Sequence, residues 1–567
     1  MNALLFVLIL QSDSAELERI AVQHGDRIKP LDTFARELLH AWSGSETFSS
    51  FRDPETGETV EVFAGGDPVS AILDILWRPD ASARKFVRIQ HPELKLRLGL
   101  PEARQFFSLD EIDARLADLA MMHRQSAGRT SRDQGPLDRA VLALASAYEE
   151  IGMLRSGNLL RIVPVEYGPR RAWVYPELLR RTLHPAEMIG LRQGEGGAET
   201  EEWAAAAEAL SRIPREKLRE VLDAYDDLKK GGTASARLAN ALREVDPAKL
   251  PSAKLLDSEV RYNRAKPFTR AAALYGLTFV LFLFAAIFGS RILWSAGLVA
   301  QVAALGVHLH AYAWRWEIAQ RFPLSNQYEA MLALAFLGAL MAFVFECVLR
   351  SKLVGMGAGL VGASMILLAD AVSDFSPHIR ALPPALQSVW MTIHVPTILM
   401  GYVCGALMAV LGHVYILTFL FAPKKEETLA TLDTTMYRIL QVTVLFLLAG
   451  TVLGGVWAKE AWGRFWGWDM KETWALISLL AYLAALHARF AGAIRGLGTA
   501  VSSLLGIVLV FLTFYGVNYV FGRGLHAYGF GAGSVRAVVA FVVVEIGIAA
   551  AAVIVSLGRS RTPAPQA

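Results

Sequence analysis

Two histidines, His394 in "QSVWMTIHVPTILMGY" and His526 in "GRGLHAYGFG", stand on either side of the segment "WAKEAWGRFWGWDMKETW" (457–474). That segment holds five of the thirteen tryptophans of the chain within eighteen residues. Two neutral imidazoles can ligate one iron from opposite faces, and flat indoles pack well against a flat apolar body. A planar macrocycle with a metal at its centre fits this set of side chains. Any carboxylates at the opposite edge of such a body need donors or cations, and Lys459, Arg464, Lys471 and Arg523 are at hand. Arginine is the better carboxylate partner because of its forked donors. The plainer alternative is a belt of aromatic anchors at a membrane interface, but a belt has no use for two bracketing histidines. A hard-metal site built on Asp469 is weaker still, because few other carboxylates fall nearby to complete it.

His487, in "AYLAALHARF", is of another kind. It lies deep in an apolar run, and an ionisable residue there defaults to a functional reading that requires a partner. His413, His308 and His310 also fall within apolar runs, where an interhelical hydrogen bond is enough to explain them. The two cysteines, Cys347 and Cys404, read as small apolar residues. With no CxxC, the chain has neither a thioredoxin-like redox site nor a covalent haem-attachment site of its own.

These residues must be positioned by membrane helices. The 567-residue chain is 54% hydrophobic with a mean hydropathy of +0.36, and 41 of its 53 acidic residues precede residue 271. Apolar runs of spanning length recur at about 271–289, 293–313, 328–348, 353–371, 390–421, 438–457, 474–493, 499–520 and 536–557. The expected fold is a polytopic α-helical membrane protein of about nine transmembrane helices, residues 271–557. It carries a mostly helical, extracytoplasmic N-terminal domain over residues 13–265. Within that domain "RIVPVEYGPRRAWVYP" reads as a strand pair. A signal-like apolar start (1–12) precedes it, and residues 558–567 form a cytoplasmic tail. The net charge of +3, scattered along the chain, argues against nucleic-acid binding.

Lys and Arg fall ten inside to eight outside when the N-terminal domain is placed outside, which weakly favours that orientation. The Trp-rich segment is then an extracytoplasmic loop between the sixth and seventh helices, with His394 and His526 on the same side.

The stretch "WGRFWGWDMKETWALISLLAYLAALHAR" resembles the tryptophan-rich signature of the haem-handling membrane proteins of cytochrome c biogenesis, closest to the CcsA (ResC-type) proteins of the System II pathway. "RFPLSNQYEAMLALA" (321–335), "VWMTIHVPTILMGY" (389–402) and "YGVNYVFGRGLHAYGFG" (515–531) match as well. The resemblance covers about residues 290–535. It implies that His394 and His526 are external axial ligands of haem b and that His487 is a transmembrane haem ligand. It also implies that Trp462, Trp466, Trp468, Asp469 and Trp474 present the porphyrin, with Arg464, Lys471 and Arg523 beside it. The activity implied is passage of haem outward and its thioether attachment to the CxxCH motif of apocytochrome c, as a haem lyase (holocytochrome c synthase) component; the alternative is a haem-delivery or chaperone subunit. The implied setting is the bacterial inner (cytoplasmic) membrane, with a CcsB/ResB-type membrane partner and a thiol-reducing thioredoxin-like protein. Two departures stand out. There is no CcsB-like membrane half, which leaves open whether the ligand opposite His487 is a partner chain, His413 or none. Met470 also stands where the motif commonly has Pro. The N-terminal "HGDRIKPLDTFARELL" (24–39) resembles an extension found in some CcsA homologues.

Overall fold

In the computed structural model the described residues are 14–561, apart from 64–65, 131–133, 170, 185–197, 231–232, 372–376, 383–385 and 522–534. His526, Arg523 and the apolar start 1–12 lie outside the described residues. The chain forms two compact units, Met1–Ala265 and Lys266–Ala567.

The first unit is helical with four short two-stranded antiparallel ribbons. Helices such as Leu31–Ser43, Pro136–Arg155 and Arg215–Lys229 turn apolar stripes onto one core. That core buries Phe34, Trp42, Phe86, Phe107, Val221 and Tyr225. The Gly- and Pro-broken stretch near residue 165 pairs Val163–Tyr167 with Ala172–Val174. The "HGDRIKPLDTFARELL" motif is a hairpin followed by a helix: Ala21–His24 pairs with Arg27–Pro30 across Gly25, whose φ of +60° suits glycine. Arg27 and Thr33 both bond Glu259, and Asn263 donates to Asp32 at 2.9 Å. The motif's polar residues thus clamp the hairpin onto the helix Ala253–Ala265.

The second unit is a bundle in which, among the described residues, nine helices are long and apolar enough to cross a membrane. We number them α1 (Pro267–Phe288), α2 (Arg291–Ala319), α3 (Gln327–Leu349), α4 (Leu353–Ala371), α5 (Val389–Phe421), α6 (Glu426–Trp462), α7 (Met470–Phe490), α8 (Leu497–Phe511) and α9 (Val535–Arg561). The protein is therefore a multi-pass membrane protein, with the number of spans that hydropathy suggests. At its C-terminal end α8 widens into a π-helical stretch, Leu512–Phe521. The helix α6 has 37 residues, or ~55 Å at 1.5 Å each, well beyond a ~30 Å hydrocarbon core.

Small residues set the packing, as they do where lipid offers no hydrophobic drive between helices. On α4, Gly355, Gly359 and Gly362 lie against Phe282, Phe279 and Tyr275 of α1, so close that an added Cβ would collide. Gly405 of α5 and Gly506 of α8 both receive the ring of Tyr482, which wedges α7 between them. The α1–α4 group meets α5–α9 chiefly where α3 packs on α5.

Buried charge pins the connection between α2 and α3. Arg315, which sequence places among the loop cations, is 2% exposed and bonds Glu329 at 3.0 Å. Glu329, fully buried, also takes Arg321 at 3.1 Å and the Ser325 N–H at 2.7 Å. The "RFPLSNQYEA" motif is thus a buried polar knot with Asn326 as N-cap of α3.

Candidate functional site

Of residues 457–474, the first six close α6, the next seven form the connection and the last five open α7. Trp457 and Trp462 therefore stand on a helix. They meet edge to face at 4.6 Å, and Trp457 is 1% exposed. Gly463, at φ +72°, ends α6 in the left-handed conformation.

Asp469 is the N-cap of α7. Its carboxylate accepts from the Glu472 N–H at 2.9 Å, while Glu472 accepts from the N–H groups of Asp469 (3.3 Å) and Gly467 (2.6 Å). This capping box is written in the sequence as Asp469 followed three residues later by Glu472, so the acid that the family resemblance assigns to porphyrin presentation has a backbone task of its own. Met470 follows as the first residue of α7, and the cap forms without a proline there.

The rings of the connection differ in exposure. Trp466 and Trp468 meet edge to face at 5.8 Å. Trp468 is 69% exposed with its backbone at φ +57°, a conformation that costs a non-glycine residue about 1–3 kcal/mol and tends to occur at binding sites. Phe465 is exposed beside it. The indole Nε1 of Trp466 is buried without an acceptor, and a buried donor of this sort costs stability until something accepts from it.

His394 lies in the second turn of α5, just before Pro396. Its Nδ1 is 2.8 Å from the carbonyl of Gly450 on α6. A carbonyl only accepts, so Nδ1 carries the proton and Nε2 of the neutral ring carries the lone pair, the form in which histidine ligates a metal. The ring lies parallel to Trp457, with centroids 6.1 Å apart and planes within 8°. It rests on Gly454, where an added Cβ would come 2.7 Å from Cε1. The structure thus joins His394 to the tryptophans through α6.

The cations differ. Arg464 lies 3.5 Å from the Glu472 carboxylate and over Trp462 at 5.8 Å. Lys471 turns the other way, its ammonium 5.8 Å from the ring centre of Phe514 in the π-helical stretch. Trp474 ties α7 to that stretch, its carbonyl accepting from Ser478 and Thr513 at 2.9 and 3.1 Å.

His487 is exposed in the last turn of α7, ~26 Å along the axis from Met470. Its Nδ1 faces the Leu483 carbonyl at 2.8 Å, giving the same ligating tautomer as His394. His413 is spoken for. Its Nδ1 faces the Ala409 carbonyl at 2.8 Å, and its Nε2 is 3.2 Å from Glu545 of α9. The Glu545 carboxylate thus occupies the side of Nε2 from which a metal would be ligated, which leaves His413 unsuited to face His487 as a ligand. His308 is fully buried among Phe268, Tyr275, Tyr312 and Phe336, a core position. Among the described residues no group of His, Cys, Asp and Glu clusters to hold a bare metal ion.

The donor set, the indole shelf and the orphan indole N–H fit a flat ligand that carries its own metal. Comparisons with known proteins identify the family. The family model described as "Cytochrome C assembly protein" matches residues 324–526. "Protein NrfI" of Wolinella succinogenes is 28% identical over 533 residues, 89% of this chain and 53% of that protein. "Cytochrome c biogenesis protein CcsA" of Chlamydomonas reinhardtii is 36% identical over 225 residues, covering 38% of this chain and 63% of that one. CcsA of Trieres chinensis is 34% identical over 253 residues, 38% of this chain and 80% of that one. The chain thus spans about half the length of NrfI, just under two thirds of the Chlamydomonas reinhardtii CcsA and four fifths of the Trieres chinensis CcsA. The CcsA matches are confined to 38% of the chain, whereas the NrfI match is long enough to reach well into residues 1–265. On its motifs, its nine spans and these relatives, the chain belongs to the CcsA-type cytochrome c assembly proteins.

Proposed function

We propose that this protein binds haem b at a bis-histidine site between His394 and His526, with Trp462, Trp466, Trp468 and Trp474 as its shelf. It then hands the haem on for thioether attachment to the CxxCH motif of apocytochrome c, as a haem lyase component of System II. The observation that carries this reading is the pose of His394: a carbonyl fixes its tautomer, an indole lies parallel to it, and a glycine gives it room. A bound haem supplies an iron and two reactive vinyl groups, and thioether formation then asks the protein mainly for positioning. His487 is proposed as a ligand earlier on the haem's route. The partner facing it is taken to be a CcsB/ResB-type chain, because His413 is paired with Glu545. A thioredoxin-like protein would keep the CxxCH thiols reduced. The setting proposed is the bacterial cytoplasmic membrane, with the N-terminal unit and the Trp-rich connection extracytoplasmic.

The test is the visible spectrum of the purified full-length protein as wild type and as His394→Ala, His526→Ala and His487→Ala. A low-spin bis-imidazole spectrum is expected, lost or converted to high spin in the first two variants. Protein free of haem in every preparation, even with its partner co-expressed, would sink the reading. Adding a CxxCH peptide separates ligation from delivery, since only a ligase moves the spectrum to that of a c-type cytochrome.

A further inference from the structure

Lys471 stands out among the cations of the Trp-rich segment. Arg464 is committed to closing the connection: it pairs with Glu472, covers Trp462, and lies across Gly467 where a side chain would overlap it. Lys459 is exposed at the end of α6. Lys471 is half-buried and turned inward over Phe514, and among the described residues no carboxylate lies within ion-pairing distance of it. An ammonium held over an aromatic face is stabilised by only about 0.5–2 kcal/mol, less than an anion would give it.

Phe514 links it, through Asn518, to a second unmet donor. Asn518, 8% exposed, donates through Nδ2 to the Phe514 carbonyl at 3.0 Å and to Gln327 Oε1 at 3.4 Å. The Phe514 carbonyl fixes which end of Asn518 is nitrogen, and that in turn fixes the end of Gln327 facing it as oxygen. Gln327 Nε2 therefore points away from Asn518, buried and without an acceptor. Asn518 Oδ1, also buried without a donor, suits a water or a protonated carboxyl. Gln327 opens α3 and Lys471 opens α7, so both donors sit at helix ends that favour negative charge. The Ser478–Thr513 contact at 2.9 Å holds α7 against the widened helix.

We infer that Lys471 and Gln327 form a carboxylate subsite beside Phe514, and that this subsite takes a haem propionate. The inference rests on the haem reading above and adds an orientation to it. With the propionate edge directed to α7 and the π-helical stretch, the vinyl edge opposite is turned away from Lys471. That is the edge a cysteine thiol of an incoming peptide must reach.

The test compares haem with its dimethyl ester, whose propionates carry no charge, titrated into the haem-free full-length protein and read by the bis-imidazole absorption. A charge-assisted contact of about 1.5–3 kcal/mol predicts haem binding about ten- to a hundredfold tighter than the ester in wild type. Lys471→Gln should bring the ratio to within about threefold while the low-spin bands persist, and Lys471→Arg should restore most of it. Equal binding of the two porphyrins by wild type overturns the subsite. So does a ratio that survives in Lys471→Gln but collapses in Arg464→Gln or Arg523→Gln. A wild-type protein that gives no bis-imidazole spectrum with either porphyrin fails the haem reading itself, so the two failures are distinguishable.

Discussion

At the scale of single residues, three membrane histidines share one device and differ in their surroundings. His394, His413 and His487 each set Nδ1 on a backbone carbonyl at 2.8 Å. What separates them is what lies beside each ring: the parallel indole of Trp457 for His394, a carboxylate for His413, the bundle surface for His487. Sequence position set His394 apart beside the tryptophans but left open whether His413 faces His487, because the contacts that bear on the two poses come from Gly450, fifty-six residues from His394, and from Glu545, well over a hundred residues from His413. Gly454 gives a direct test of the pose. A methyl there would approach Cε1 of His394 at 2.7 Å, so the ring must tilt or α6 must move away. Gly454→Ala should cost about 1–3 kcal/mol of stability by overpacking and weaken haem binding several-fold or more. Gly492→Ala, at a positive-φ position with open space around it, should lower thermal stability through backbone strain while leaving the haem spectrum unchanged. Isothermal titration and thermal melts in detergent check both.

At the scale of elements, the hydropathy spans placed every membrane helix but missed how far α6 extends and how α8 ends. A span estimate follows apolar residues. It stops at Trp457, whereas the helix continues through "AKEAW" because its hydrogen bonds do not depend on polarity. The π-helical register of Leu512–Phe521 has no local sequence signature, and the stretch is tied to α7 through Thr513 and to α3 through Asn518. The capping box of α7 was legible as Asp469 and Glu472, though family resemblance drew attention to the tryptophans instead. The buried Arg315–Glu329–Arg321 knot was hidden for a simpler reason: arginine near a span end reads as a solvated cation. Its energetics are lopsided. Forming such a group gains little over an apolar core, but removing one partner strands buried charge at about 3–5 kcal/mol. Glu329→Gln should therefore lower stability by about that much, well beyond the effect of Glu460→Gln at an exposed site on α6. Denaturation midpoints of the two variants in one detergent decide it. Equal midpoints would mean that the arginines find other partners.

At the scale of the whole molecule, the chain joins two units with separate cores, and its acidic residues are unevenly divided between them. The first unit carries most of the acids, and several are held in the ionised form. Hydrogen bonds from Ser126 and the Gly135 N–H, reinforced by Arg129, hold the Asp138 carboxyl below the usual aspartate range. Arg180 does the same for Asp226, bridging the helices Pro176–Leu183 and Arg215–Lys229. A carboxyl whose folded pKa is depressed stabilises the fold above its unfolded pKa, about 3.9 for aspartate, and that stability is lost as pH falls through the folded value. Both contributions are thus present at neutral pH and fade below about pH 4. Hydrogen exchange on the full-length protein in detergent, stepped from pH 7 to 3 with rates corrected for intrinsic acid dependence, should show protection lost at the start of Pro136–Arg155 and at the end of Arg215–Lys229 in the acid steps. Arg180→Leu removes the group that depresses Asp226, so protection in its two helices should be weaker already at pH 7 and change less on acidification, while the Asp138 region keeps the wild-type profile. An unchanged acid response near Asp226 in that variant would show that its carboxyl does not govern the local opening.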